Sequence, residues 1–219
     1  MNTALNNPYW DEIKDKGVDD IYGAMRGLYV SNEILNAASL LQNSRNDYCR
    51  KYSWSIPDPA SILFVAEHMR GRCVEMGAGT GYYSWQLVQL GIDMLCYDIA
   101  PPDKASDNDY HSPRTGTYGE LTGETTHTYI PVLEGTPRIL HHADRTLFLC
   151  WPPMSDMAFQ CLKHYKGDRL VYIGESSGGC TGDDAFFDVL ENEWQRVDGH
   201  KPVQWDGIHD WIEVYTRVK

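Results

Sequence analysis

The residue types best suited to ligand chemistry lie in Val74-Glu75-Met76-Gly77-Ala78-Gly79-Thr80-Gly81, followed by Tyr82-Tyr83-Ser84-Trp85-Gln86-Leu87. Glycines at 77, 79 and 81 let the backbone turn tightly and let a ligand approach the main chain, where a Cβ would stand in the way. The apolar entry and the helical run that follows place this turn between a strand and a helix. Amides of such a turn and the helix N-terminus favour polar or negative ligand groups. The third glycine falls one residue earlier than in the dinucleotide fingerprint, and an acidic residue, Glu75, stands two places before the first. Downstream, Met94-Leu95-Cys96-Tyr97-Asp98-Ile99 reads as a second strand. A carboxylate about 20 residues past a glycine turn, at the end of the second strand, is placed to accept hydrogen bonds from both hydroxyls of a ribose.

Glu75-x-Gly77-x-Gly79-x-Gly81 together with Asp98 resembles the first and second motifs of class I S-adenosylmethionine-dependent methyltransferases. The resemblance implies S-adenosyl-L-methionine as cofactor. Gly77 to Gly81 would lie along its methionine moiety, Asp98 would hold the ribose, and Glu134 with Gly135, at the end of the third strand, would approach the adenine. The full cofactor set it implies is Glu75, Gly77, Ala78, Gly79, Gly81, Tyr82, Asp98, Ile99, Glu134, Gly135, Cys150 and Trp151.

Thr146-Leu147-Phe148-Leu149-Cys150-Trp151-Pro152-Pro153 is a continuous apolar run that suits a strand buried on both faces and ends at two prolines. It resembles the fourth motif of amino-methyltransferases, in which a polar residue precedes the prolines and an aromatic follows. Here Trp151 takes the polar position and Met154 the aromatic one, so no side-chain oxygen is offered to a target amine. That weakens a transfer of nucleobase N-methylation to this chain. Methyl transfer from a sulfonium depends mainly on positioning, and a base matters only for an acceptor that arrives protonated. The catalytic candidates are Trp151, Glu175 and His127, with the segment Ile208-His209-Asp210-Trp211 as a further source of a base; Tyr52, Trp54, Tyr110, Pro152 and Pro153 are the candidate substrate walls, with Asn108 and His111 also possible contacts.

The elements that must position these residues follow from periodicity and punctuation. The 219 residues divide into an N-terminal helical extension, 1–57, and a methyltransferase-like domain, 58–219. Residues 8–45 read as helical, with Ile21, Met25 and Leu28 on one face and Ser31 capping a run through Ile34, Leu35, Ala38 and Leu41. Asp58-Pro59 opens a helix that carries Ile62, Ala66 and Met69 and stops at Gly71. Residues 101–128 are almost free of aliphatic side chains and read as a long loop at the ligand edge. Tyr129 to Gly135 reads as an edge strand, Ile139 to Ala143 as a connector, Ser155 to Tyr165 as a helix and Arg169 to Glu175 as the fifth strand. A helix from about Asp183 to Glu191 and a terminal antiparallel pair, Trp194 to Trp205 and Trp211 to Val218, complete the chain. The expected fold is doubly wound α/β, with a seven-stranded, mostly parallel sheet and an antiparallel last strand.

A hydrophobic content of 42% and an aromatic content of 12% suffice for a substantial core. The net charge of −12, with no basic cluster denser than Arg70-Gly71-Arg72 or Arg45 with Arg50-Lys51, argues against nucleic acid as a partner. No apolar segment approaches membrane-spanning length and the N-terminus lacks a signal-peptide pattern, so the expected location is cytoplasmic. Six scattered cysteines without a C-x-x-C pair read as reduced small hydrophobes, and no metal site is expected. The function expected is methyl transfer to a small molecule. A non-catalytic S-adenosylmethionine-binding regulator or subunit, a protein or nucleobase N-methyltransferase, and an NAD-dependent oxidoreductase are the alternatives.

Overall fold

Apolar or alternating runs punctuated by glycine and proline become seven strands: β1 (Arg72–Met76), β2 (Asp93–Asp98), β3 (Val132–Glu134), β4 (Thr146–Cys150), β5 (Arg169–Gly174), β6 (Trp194–His200) and β7 (Trp211–Arg217). The structure, a computed structural model, describes residues 5–18, 44–103, 108, 110–111 and 127–218. The strands form one sheet in the order β3-β2-β1-β4-β5-β7-β6. Strands β1 to β5 run parallel, and β7 is antiparallel to both β5 and β6. This is the doubly wound α/β sheet read from the sequence. Because β2 and β3 extend to one side of β1 and β4 starts the other side, the chain reverses direction across β1 and β4. A crevice opens there at the carboxyl ends of the strands.

The helices are α1 (Pro8–Ile13), a helical segment over 44–51 (α2), α3 (Pro59–His68), α4 (Tyr82–Gln89), α5 (Met157–His164) and α6 (Asp184–Glu193). Alternate residues of the central strands feed two cores. Val74, Met76, Leu147, Leu149, Leu170 and Tyr172 pack against Ala158, Cys161 and Leu162 of α5 and Phe186 and Leu190 of α6. Cys73, Phe148, Val171 and Ile173 face the other way, onto Ile62 and Val65 of α3 and Tyr83 and Leu87 of α4. Both faces of β4 and β5 are therefore dry, which their unbroken apolar sequences require.

Local chemistry sets the element ends. The Asp58 carboxylate accepts from the amides of Ala60 (3.0 Å) and Ser61 (3.1 Å), and Pro59 at the first helical position has no amide to satisfy. The helix ends at His68, earlier than the sequence implies, because Arg70 and Gly71 both turn into the left-handed region (φ 50° and 81°). Its buried face is Ile62, Val65 and Met69 rather than Ile62, Ala66 and Met69. Strand β3 is shorter than expected: Pro131 has no N–H to give, and pairing with β2 covers only Val132 to Glu134. Strand β6 stops at His200, ahead of Pro202.

The N-terminal region is not one long helix. Segment α1 spans six residues and gives way to a turn. The faces assigned to Ile21, Met25, Leu28 and to the run after Ser31 lie outside the described residues. What is described packs on the start of α4. Tyr9, Ile13, Tyr52, Ile56, Tyr82 and Trp205 form a third apolar cluster. The Tyr9 amide donates to the Tyr82 hydroxyl (2.9 Å), that hydroxyl donates to Asn7 Oδ1 (2.8 Å), and Trp205 Nε1 donates to the Tyr9 hydroxyl (2.9 Å). All six cysteines are free; only Cys180 is exposed. Among the described residues no helix is long and apolar enough to cross a membrane.

Candidate functional site

At the ends of β1, β2, β3 and β4 lies a cavity of about 900 Å³. That is at the upper end of the usual range for small-molecule sites, roughly 300 to 1,000 Å³. Its floor is the glycine turn between β1 and α4. Gly77, Gly79 and Gly81 all adopt left-handed backbone (φ 76°, 53° and 69°), which only glycine takes without cost. A Cβ at Gly77 would come 2.7 Å from Met157 Cε, and one at Gly79 would run into the His111 ring.

The turn's amides point at β2, and not outward as the sequence alone suggests. The amides of Gly77 and Ala78 donate to the Tyr97 carbonyl (2.8 and 3.0 Å), and that of Gly79 donates to Asp98 Oδ2 (2.8 Å). The Asp98 carboxylate also accepts from the Ala100 amide through Oδ1 (2.9 Å). Two backbone donors thus fix its orientation, and each oxygen keeps a further lone pair for a ligand hydroxyl. The amides of Gly77, Ala78, Gly79 and Gly81 are thus engaged within the fold, and the missing Cβ atoms of Gly77 and Gly79 make room for Met157 and His111. Thr80 Oγ1, which accepts from the Tyr82 amide at 3.2 Å, caps the helix start as well.

Glu75 lines the cavity and is almost wholly buried. Burial pushes its pKa up to about 8, opposed by hydrogen bonds from the Ser84 hydroxyl and the Cys96 thiol. It is a neutral acid at pH 7. His111, also in the wall, is held below the usual imidazole range by burial, which the hydrogen bond to the Arg50 carbonyl opposes. A carbonyl oxygen only accepts, so Nδ1 carries the proton of this neutral ring (3.0 Å).

Part of the wall is aromatic. Trp151 follows β4 in left-handed backbone (φ 54°), its amide bonded to the Ile173 carbonyl (2.7 Å). Its indole Nε1 donates to Asp210 Oδ2 (2.9 Å), so Asp210 positions the ring. Trp54 stacks on it at 6.0 Å, with 27° between planes, and meets Tyr110 edge-on at 6.0 Å. Ile99 and Met154, 72% and 67% exposed, stand at the mouth as apolar surface.

The cavity gathers most of the residues singled out from sequence: Glu75, Gly77, Ala78, Gly79, Tyr82, Asp98, Ile99, Gly135, Cys150 and Trp151 of the cofactor set, and Tyr52, Trp54, Tyr110 and Pro153 of the substrate set. It leaves out five. Gly81 lies behind the turn, where a Cβ would meet Ile130 Cγ1 at 2.9 Å. Glu134 is exposed on the edge strand. The Pro152 carbonyl accepts from the Gly182 amide (3.1 Å) away from the wall. His127 is exposed against Tyr129, with ring centroids 4.6 Å apart. Glu175 is spent on structure: its oxygens accept from the amides of His209 (2.9 Å) and Cys180 (2.8 Å). Burial raises its pKa, but those amides outweigh it and hold the carboxyl below the usual range.

Sequence reasoning missed Arg45, Asp210 as the partner of Trp151, and Met157 under Gly77. Only Arg45 carried a signal. It shares the buried face of α2 with Cys49 and is followed by Tyr52 on the same side, a charge where the helical spacing calls for an apolar residue.

No family model matches this sequence, and no curated protein matches it. Solved structures are similar to it at low identity. A magnesium protoporphyrin IX methyltransferase from Synechocystis PCC 6803, with bound SAM, is 14% identical and superposes with a TM-score of 0.47 over 100% of both chains. The 1,6-didemethyltoxoflavin-N1-methyltransferase of Burkholderia thailandensis, with bound 1,6-didemethyltoxoflavin and S-adenosylhomocysteine, is 13% identical (TM-score 0.49), covering 88% of this chain and 93% of that one. An rRNA methylase from Streptococcus thermophilus is 13% identical (TM-score 0.42), covering 74% of this chain and 97% of that one.

Proposed function

We propose that the protein is an S-adenosylmethionine-dependent methyltransferase that methylates a small molecule by direct in-line transfer. The observation that carries this reading is the pairing of Gly79 with Asp98. A glycine turn whose Gly77, Ala78, Gly79 and Gly81 amides are consumed internally stands beside a carboxylate held by two amides. That arrangement suits an uncharged ribose and a close-lying aliphatic chain, and it suits the pyrophosphate of a dinucleotide poorly, since such a group needs outward donors.

In this reading Asp98 accepts from the ribose hydroxyls, Gly77 and Gly79 admit the amino-acid arm, and Ile99 covers a flat face. Bound S-adenosylmethionine supplies a methyl group already activated on a sulfonium. The chain's own task is to place an acceptor in line with it and exclude water. Orienting two reactants in this way is worth roughly 7 to 11 kcal/mol of barrier. Trp151 and Trp54 form an aromatic part of the wall, and their faces favour a cationic or flat group. An acceptor amine or phenolate that arrives unprotonated needs no base; for one that does not, the neutral imidazole of His111 is a candidate in the wall.

Calorimetry tests the reading directly. S-adenosylmethionine and S-adenosylhomocysteine are expected to bind and NAD is not. Asp98→Ala is expected to weaken S-adenosylhomocysteine by about 1 to 3 kcal/mol, the usual loss for hydrogen bonds to a charged group. Unchanged affinity in a variant that still melts cooperatively removes the ribose assignment, and NAD binding in place of S-adenosylhomocysteine removes the function.

A further inference from the structure

A guanidinium stands in the cavity wall with no ion-pair partner among the described residues. Arg45 on α2 is 7% exposed, lines the cavity, and its Nε is shielded from solvent without a hydrogen-bond partner. Among the described residues it takes part in no ion pair. None of the acids around the site is within ion-pair distance of it: Asp98 holds the amides of Gly79 and Ala100, Glu175 those of His209 and Cys180, and Asp210 holds the Trp151 indole through Oδ2, its buried Oδ1 having no hydrogen-bond partner. Burying a cation without a partner is unfavourable, and proteins rarely keep one there. The guanidinium carbon lies 5.5 Å from the ring centroids of both Trp54 and Trp151, and those faces offset part of the lost hydration. They offer no lone pair to its N–H donors.

We propose that Arg45 anchors an anionic group, a carboxylate or phosphate, on the methyl acceptor, whose flat portion lies against Trp54 and Trp151. The proposal rests on the methyltransferase reading and names its substrate class: small, planar and anionic. A planar fork of donors matches the paired oxygens of such a group, and the rings that flank it fix its plane. Arg45 stands over the residue that follows β4, whereas the carboxylate assigned to the ribose closes β2. The same chemistry has a second source, the carboxylate of the cofactor's own methionine arm, and the test separates the two.

The full-length protein is titrated calorimetrically with naphthalene-2-carboxylate, 2-naphthyl phosphate and the neutral naphthalene-2-carboxamide, with and without saturating S-adenosylhomocysteine. At least one anion is expected to bind about tenfold more tightly than the amide, the equivalent of about 1.4 kcal/mol. Arg45→Met is expected to abolish that preference, leave amide binding unchanged, and keep or raise the melting temperature, since it removes an unpaired buried charge. Arg45→Lys keeps the charge without the fork and is expected to retain part of the preference. Equal affinity of wild type for anions and amide, a comparison that needs no variant, overturns the proposal. So does a preference that survives in Arg45→Met. If Arg45→Met weakens S-adenosylhomocysteine tenfold but not 5′-methylthioadenosine, which lacks the carboxylate, the anion is the cofactor's and the acceptor assignment falls. If S-adenosylhomocysteine does not bind while the anion preference appears and depends on Arg45, the anion site stands and the methyltransferase reading fails.

Discussion

Glu75 shows how one side chain ties cavity, stability and pH together. In an unfolded chain its carboxyl loses the proton near 4.5, whereas burial holds it in the fold to about 8. Between those values the folded protein carries one more proton than the unfolded chain, so stability declines as pH rises through the window. The contribution is complete below the lower value and gone above the upper one, on the order of 3 to 5 kcal/mol in all. Glu75→Gln keeps an oxygen for the Ser84 hydroxyl but cannot ionise. Its melting temperature is therefore expected to hold from about pH 5 to about pH 8, where that of the wild type falls. An identical decline in both proteins excludes Glu75 as the cause. The carboxylate two places before the first glycine was visible in the sequence, but its neutral state was not. That state depends on desolvation among Ser84 and Cys96, which lie apart from it along the chain.

At the scale of elements, the turn between β1 and α4 was legible because glycine spacing is a local signal. What its amides do was not legible, because their acceptors belong to β2. Two substitutions separate conformational freedom from close approach. Gly91 and Gly79 both have left-handed backbone (φ 85° and 53°), but a Cβ at Gly91 meets nothing within 4 Å, whereas one at Gly79 meets His111. Both alanine variants incur the left-handed penalty of about 1 to 2 kcal/mol. Gly79→Ala is expected to lose a further 1 kcal/mol or so from overpacking, and to weaken S-adenosylhomocysteine, while Gly91→Ala leaves affinity intact. Urea denaturation and calorimetry on the two proteins decide it; equal losses in both quantities would show that the loop needs only flexibility. The strands were equally readable, since β4 and β5 are apolar on both faces and end at proline or glycine. Strand β3 was overextended because the reading ran through Pro131. Arg45 escaped because its ring partners follow it at 54 and 151, and only the folded chain brings them together.

For the whole molecule, the net charge of −12 sets what the surface attracts. The basic groups at Arg70, Arg72 and Arg145 are drawn into pairs with Asp168, Asp93 and Asp144, which leaves no concentrated positive face in that region. Binding to DNA or RNA at physiological ionic strength is accordingly expected to be undetectable, with no dependence on salt. A steep fall of log affinity with log salt would reverse this and return a nucleic-acid acceptor to consideration. The same whole-molecule view gives the cysteines a use. Five of the six thiols are buried or half-buried, and the exposed one, Cys180, sits on the lining of the cavity. Burial and the neighbouring Glu175 carboxylate raise its pKa, so access rather than acidity singles it out. The molecule thus comes with its own attachment point: a maleimide dye or spin label applied to the unaltered chain would settle at the rim of the pocket, ready to report whatever enters.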